Sequence, residues 1–105
     1  MKIHEVKTYP LYFQSGFDGR KPFEVRTDDR DYQFGDVLRQ KEWSPHGGFS
    51  GRSYDRLISC VFYHPDYVKE GMVILGLSKI PWRIRWKMMW QQWRREVAED
   101  GTAQV

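Results

Sequence analysis

The octapeptide from Gly19 to Arg26, which reads Gly-Arg-Lys-Pro-Phe-Glu-Val-Arg, marks a change from helix to strand. Aromatic residues before it recur at helical spacing and predict one short amphipathic helix over residues 8–18. Gly19 suits the left-handed conformation that ends many helices, because glycine enters that conformation without steric cost. Pro22 disfavours a restart of the helix and favours an extended backbone at the residue before it.

From Phe23 onward, apolar and charged residues alternate, which predicts a strand. The apolar residues Phe23 and Val25 share one face, and the charged residues Glu24 and Arg26 share the other. With Lys21 in the preceding turn, the charged face could form a cleft for an anionic or nucleotide-like ligand. Lys21 would supply a point charge and Arg26 a planar fork for phosphate. The alternative is that Glu24 and Arg26 form the solvated face of a half-buried strand.

The chain has the size and composition of one small globular domain. Its 105 residues are 40% hydrophobic and 30% charged. The single cysteine, Cys60, excludes an internal disulfide, suits a cytoplasmic location and is predicted to be a small core residue. Neither a secretion signal nor a transmembrane segment is expected, because no apolar run has the required length or position.

The remaining patterns predict short strands over residues 3–7, 37–43, 54–63 and 72–77. The last is continuous and apolar, which is typical of a central strand buried on both sides. Short strands with turn signals between them, together with one early helix, favour an α+β, mainly β fold in the form of a small barrel.

The octapeptide fits the pattern Gly-x-Lys-x-x-Glu-x-Arg, which resembles the signature of the ASCH domains, small β-barrels related to the RNA-binding PUA fold. Gly35-Asp36 resembles the family's turn into the next strand. The resemblance extends over residues 1–78, towards a phage- and plasmid-associated branch of unknown function. We therefore expect a PUA-like barrel domain at 1–79 and an appended helix with a frayed tail at 80–105.

The resemblance implies a nucleic-acid binding module, with RNA or a nucleotide as the partner. No cofactor is expected. Some ASCH members resemble hydrolases that cleave the amide of N-acetylated cytidine with the motif lysine, a distant glutamate and a threonine. Lys21 matches that lysine, whereas Glu24 occupies the threonine position, and Glu70 is the only candidate for the distant glutamate. A hydrolase of modified nucleosides or RNA, with Lys21 and Glu24 as catalytic candidates, is therefore the alternative function.

Four further residues are candidate ligand contacts, namely His4, Lys7, Asp29 and Arg30. His4 and Lys7 lie close to the motif if the first strand pairs near it. Asp29 and Arg30 could instead form an exposed loop ion pair, and a lone histidine is often a structural hydrogen-bonding group. The three histidines show no metal-binding spacing, so no metal site is expected.

The C-terminal part carries the whole positive excess, since residues 1–78 have as many acidic as basic residues. It predicts a helix with an aromatic stripe of Trp82, Trp86, Met89, Trp90, Trp93 and Val97, with Arg83 beside it. So much apolar surface should be covered, by the barrel or by a second copy of the chain. Contact with nucleic acid or a membrane surface, or docking of a phage-type interaction factor on a host protein, are the alternatives.

Overall fold

The computed structural model describes residues 1–99, with side chains described for residues 1–94. The elements are β1 (Ile3–Thr8), α1 (Pro10–Phe17), β2 (Phe23–Thr27), β3 (Val37–Ser44), β4 (Gly48–Phe62), β5 (Met72–Ser78) and α2 (Trp82–Glu99). The predicted α+β, mainly β class is confirmed. Gly19 follows α1 with a φ of 80°, as its predicted role at the helix end requires.

The five strands form one mixed sheet in the order β1-β3-β4-β5-β2. β1 runs parallel to β3, whereas the other neighbouring pairs are antiparallel. β1 and β2 are the two edges and do not pair, so the predicted closed barrel is not formed by backbone hydrogen bonds. A side-chain contact between Arg26 and Thr8 joins these edges instead, which requires a strongly curved sheet. We call the concave side of this sheet its inner face.

The inner face of the sheet carries the main core, formed by Val6, Tyr32, Leu38, Ile58, Val73 and Leu75. α1 packs at one end of this face, where Phe13 lies edge-on to Tyr54 with 4.9 Å between ring centroids. β5 lies between β4 and β2, as predicted for a central strand. Its inner residues Val73 and Leu75 are fully buried, whereas its other face is only partly buried.

A register shift between Ile58 and Cys60 on β4 explains why Cys60 is exposed rather than buried. Ile58 and Val61 both contact the inner core, although they lie three residues apart. A β-bulge reverses the facing of the residues beyond it, so Cys60 turns outward. The prediction of a core cysteine was wrong because the bulge does not show in the alternation of residue types.

α2 packs on the outer face of the sheet through Ile84 and Met88, with Ile80 just before the helix. Their partners are Ile3, Val37 and Leu57. The predicted tryptophan stripe lies on the opposite side and is exposed, so the expectation that the barrel covers it was wrong. The two aliphatic residues one helical turn apart fit the apolar patch of the sheet, and the bulky indoles are left outside. The side chain of Val97 and residues 100–105, which include the predicted frayed end, lie outside the described part.

None of the described helices is long and apolar enough to cross a membrane.

Candidate ligand-binding site

Strand β2 turns its charged residues inward and its apolar residues outward. Glu24 lies opposite Leu75 and Arg26 opposite Val73, and both partners belong to the inner core. Residues directly opposite in a sheet point to the same face, so Glu24 and Arg26 also point inward. Glu24 is only 4% exposed, whereas Phe23 and Val25 are 44% and 50% exposed. The alternative of a solvated Glu24 and Arg26 face is therefore wrong.

Two cations neutralise the buried Glu24 carboxylate. Lys21 Nζ lies 2.5 Å from Oε1, and Arg26 Nε lies 3.2 Å from Oε2. A buried carboxylate is costly unless it is paired and hydrogen-bonded, and this geometry satisfies both oxygens. Two positive charges against one negative charge leave an excess of one positive charge. Glu24 thus holds Lys21 and Arg26 in place without cancelling their combined attraction for an anion.

A second layer of hydrogen bonds holds Arg26 from behind. Its Nη2 donates to Thr8 Oγ1 over 3.1 Å, and the threonine hydroxyl donates to Gln40 Oε1 over 3.1 Å.

Among the described side chains, Gln40 Nε2 and the Tyr54 hydroxyl are buried without a hydrogen-bond partner. Burial, with a further contribution from the charge of Glu24, raises the pKa of Tyr54 to about 12. The Tyr54 hydroxyl therefore stays protonated and neutral beside the cluster at ordinary pH.

The cluster borders a cleft of about 370 Å³ between α1 and the two sheet edges. Its lining residues are Lys7, Thr8, Tyr9, Tyr12, Lys21, Glu24, Val25 and Arg26. An adjoining cavity of about 260 Å³ shares Lys7, Tyr9 and Arg26 with the cleft and adds Trp43. Three cations and one carboxylate therefore face this space together with aromatic rings.

The aromatic side chains lie close to the cations of the cleft. Lys7 Nζ lies 4.6 Å from the centroid of the Trp43 ring, and Lys21 Nζ lies 5.6 Å from that of Tyr12. The rings of Tyr9 and Trp43 are 6.0 Å apart. Cations held over aromatic faces are attracted by the ring electrons, which helps to keep both long side chains oriented. The arrangement offers charge for a phosphate and ring faces for a planar group.

Asp29 and Arg30 lie in a neighbouring groove of about 630 Å³, which also contains Lys7 and Arg26. Arg30 Nη1 donates to the backbone oxygen of Glu5 over 2.6 Å, which ties the loop after β2 to strand β1. The contact between Arg30 and Asp29 is longer, at 4.0 Å. The two residues are thus placed at the end of the cleft, and the main partner of Arg30 is backbone.

His4 is buried away from the cleft lining, in a pair with Asp36. Its Nε2 lies 2.9 Å from Asp36 Oδ2, and the backbone N–H groups of Lys2 and Gln33 also donate to the Asp36 carboxylate. Burial alone would raise the pKa of Asp36, but these hydrogen bonds outweigh it and hold the pKa below its ordinary value. His4 therefore joins the start of the chain to the turn before β3.

Sequence reasoning found Lys7, Lys21, Glu24 and Arg26, and the structure brings all four together. It missed Thr8, Gln40 and Tyr54, along with the aromatic residues of the lining. Of these residues, Gln40 could have been found most readily from the sequence. It lies two residues after Leu38, which places a polar side chain on the core-facing side of a strand. Within residues 1–94, no three His, Cys, Asp or Glu side chains are arranged to hold a metal ion.

The chain is similar to a known protein family and to a phage protein. Residues 3–77 match the family model described as "Domain of unknown function (DUF3850)". An uncharacterized 12.9 kDa protein in the GpA 3′ region of Escherichia phage P2 is 37% identical over 73 residues, which cover 70% of this chain and 66% of that protein. The match thus spans just under two thirds of the phage protein. The predicted association with phage proteins is confirmed in this coarse form.

Proposed function

The chain belongs to the DUF3850 family, and from this premise and the geometry of the cleft we propose that it binds a nucleotide. The nucleotide is either free or part of a single-stranded nucleic acid, with RNA as the preferred form. The observation that carries the proposal is the inward Glu24, which is buried and held between Lys21 and Arg26. A strand that places charge inside and apolar residues outside breaks the local rule, and such breaks are expected at functional sites.

The cleft has the chemistry that a nucleotide requires. Lys21 and Arg26 both retain N–H donors beyond those directed at Glu24, and these can bind phosphate oxygens. Their positions are set before a ligand arrives, which reduces the entropy lost on binding. Tyr9, Tyr12 and Trp43 supply ring faces on which a base can stack. A space of about 370 Å³ is within the range of small-molecule sites.

The ASCH resemblance of residues 19–26 supports the same ligand class. We propose that the curved sheet is a variant of the PUA-like barrel, in which a side-chain contact replaces backbone pairing between the edges. Lys21, Glu24 and Arg26 then occupy the motif positions at the mouth of the barrel. A nucleic-acid ligand also fits the cytoplasmic location that the single cysteine favours.

A hydrolase acting on a modified nucleoside is the second candidate, because Lys21 and Glu24 are in direct contact and Thr8 lines the same cleft. Lys21 would polarise an amide carbonyl, and Glu24 would exchange a proton with the reacting group. The hydroxyl of Thr8 donates to the amide oxygen of Gln40, however, and no base within residues 1–94 accepts its proton. An activated nucleophile needs such a base, so binding is the better supported function.

The experiment is a fluorescence anisotropy titration of the full chain with a labelled oligouridylate and, in competition, with uridine monophosphate. We expect affinity to fall steeply as salt rises, with a slope of about −0.7 per phosphate contact for a single strand. No binding at low salt, or affinity that is insensitive to salt, would contradict the proposal. Hydrolysis of an N-acylated cytidine, lost in Lys21→Gln, would favour the second candidate.

A further inference from the structure

The exposed surface of α2 combines four indole rings with a row of cations. Trp82, Trp86, Trp90 and Trp93 are 74, 66, 57 and 53% exposed. Their exposed surface adds up to that of roughly two and a half fully exposed tryptophan side chains, or about 400–600 Å². A monomeric protein rarely leaves so large an apolar patch open unless the patch binds a partner. Ile84 and Met88, which pack against the sheet, lie on the opposite side of the helix, so the indoles face away from the sheet.

The cations of α2 follow the indoles in sequence. Trp82-Arg83, Trp86-Lys87 and Trp93-Arg94 are three repeats of an indole followed by a cation. At about 100° per residue, the three cations fall within about 40° of one another, along one side of the indole row. Successive indoles in the first two turns are about 6 Å apart along the helix axis. The surface thus presents a row of rings with a row of positive charges along one side of it.

The charge of this surface disfavours a second copy of the chain as its partner. Residues 82–94 contain Arg83, Arg85, Lys87 and Arg94 but no acidic residue. All four cations are exposed, and none forms an ion pair with another side chain of residues 1–94. Two such faces brought together in parallel would place cations beside cations. The complementary partner of residues 82–94 is therefore an anion.

The position of three cations along one side of the indole row distinguishes between two anionic partners, a lipid bilayer and a single strand of nucleic acid. A helix lying in an anionic bilayer sends its cations to the headgroups on both sides of its apolar face. Among the cations of residues 82–94, only Arg85 lies on the second side. A single strand of nucleic acid has its phosphates along one side of its bases, which matches a row of cations beside a row of rings. Trp90 and Trp93 stack on each other with 5.1 Å between ring centroids, and each leaves its outer ring face for a base.

We propose that α2 binds single-stranded nucleic acid, with bases on Trp82, Trp86, Trp90 and Trp93 and phosphates on Arg83, Lys87 and Arg94. This surface is separate from the cleft and does not need it. It extends contact to several nucleotides, whereas the cleft has space for about one. A strand bound by both surfaces would gain affinity by their linkage.

The test uses the full chain and a fluorescein-labelled oligouridylate of about 12 nucleotides, a length within single-strand site sizes. Trp86→Ala/Trp90→Ala should weaken binding by at least about thirtyfold, because two stacked bases are lost. Trp86→Phe/Trp90→Phe should retain most of the affinity, since a ring remains at both positions. Lys87→Gln/Arg94→Gln should reduce the salt slope by about 1.4, for two lost phosphate contacts.

The matched control is Tyr67→Ala/Lys69→Gln, which removes a ring and a cation from another exposed region. It should leave oligonucleotide affinity unchanged. Uridine monophosphate distinguishes binding at the cleft from binding at α2, because a single nucleotide cannot span the indole row. Loss of its binding in Lys21→Gln/Glu24→Gln reports on the cleft alone.

Three results would overturn the α2 proposal. The first is equal oligonucleotide affinity in Trp86→Ala/Trp90→Ala and in the unaltered chain. The second is binding to phosphatidylglycerol vesicles that depends on Trp86 and Trp90, without such dependence for the oligonucleotide. The third is a dimer in sedimentation that Trp86→Ala/Trp90→Ala dissociates while oligonucleotide binding stays the same.

Discussion

Arg26 on β2 donates a hydrogen bond to Thr8 on β1 over 3.1 Å, and so joins the two edge strands of the sheet. The same guanidinium contacts Glu24 through its Nε. The side chains that close the sheet are therefore the side chains that build the cleft. Stability and ligand binding are therefore coupled at this point.

Removing both cations from Glu24 should destabilise the fold strongly. Lys21→Ala/Arg26→Ala leaves a buried carboxylate without a partner, which costs about 3–5 kcal/mol of unfolding free energy. Adding Glu24→Gln should recover most of this loss, because the unpaired charge is then gone. Urea unfolding at pH 7 measures both variants. A double variant as stable as the unaltered chain would show that Glu24 is not buried as described.

Gly16 allows α1 to lie directly on Tyr54. A Cβ at this position would be 1.9 Å from the Tyr54 hydroxyl oxygen, so Gly16→Ala should cost about 1–3 kcal/mol or more. Tyr54→Phe alone should change stability little, because this hydroxyl has no described hydrogen-bond partner. Combining the two should restore part of the loss, as the nearest tyrosine atom is removed. Thermal unfolding of the three variants gives the coupling, and strictly additive effects would count against the close approach.

Asp36 should contribute acid-sensitive stability. Its folded-state pKa is depressed below the ordinary 3.8 by hydrogen bonds that outweigh burial. The contribution is therefore complete above that value and is lost as the pH falls through the folded-state pKa. Unfolding free energy measured by urea from pH 7 downward should exceed that of Asp36→Asn by a gap that narrows in acid. A gap that stays constant, or widens towards low pH, would be inconsistent with a depressed pKa.

The two faces of α2 should respond differently to truncation. Met88 is buried against the sheet, so Met88→Ala should cost about 2–5 kcal/mol. Trp86 is mostly exposed, and Trp86→Ala should change unfolding free energy by no more than about 0.5 kcal/mol. Chemical unfolding of the two variants checks this contrast. The reverse order of effects would mean that the indole face, and not the Met88 face, packs on the sheet.

The fold class and most strands could be predicted because they depend on local patterns. The apolar run of β5 and the helix end at Gly19 are examples. Two features could not be predicted in this way. Alternation in β2 shows that Phe23 and Glu24 face opposite sides, but not which side is the core. The bulge after Ile58 depends on strand register, which is set by tertiary packing.

The candidate site could be predicted only in its charged part. Lys21, Glu24 and Arg26 lie within six residues and so appear together in the sequence. Thr8 and Gln40 come from β1 and β3, and the curvature of the sheet brings Thr8 to Arg26. The same limit applies to α2, where the tryptophans formed the most conspicuous stripe. The less conspicuous residues Ile84 and Met88 pack on the sheet instead. This choice depends on the shape of the outer face of the sheet, which the sequence of α2 does not reveal.

The central claim, that Lys21 and Glu24 form a nucleotide site, is tested most directly by comparing two ion pairs close in sequence. Lys21→Gln/Glu24→Gln and Asp18→Asn/Arg20→Gln each remove one ion pair and leave the net charge unchanged. Anisotropy titration with labelled oligouridylate should show at least about tenfold weaker binding for the first, since a charge-assisted phosphate contact is lost. The second should bind as the unaltered chain does. Equal affinities for the two variants would contradict the account.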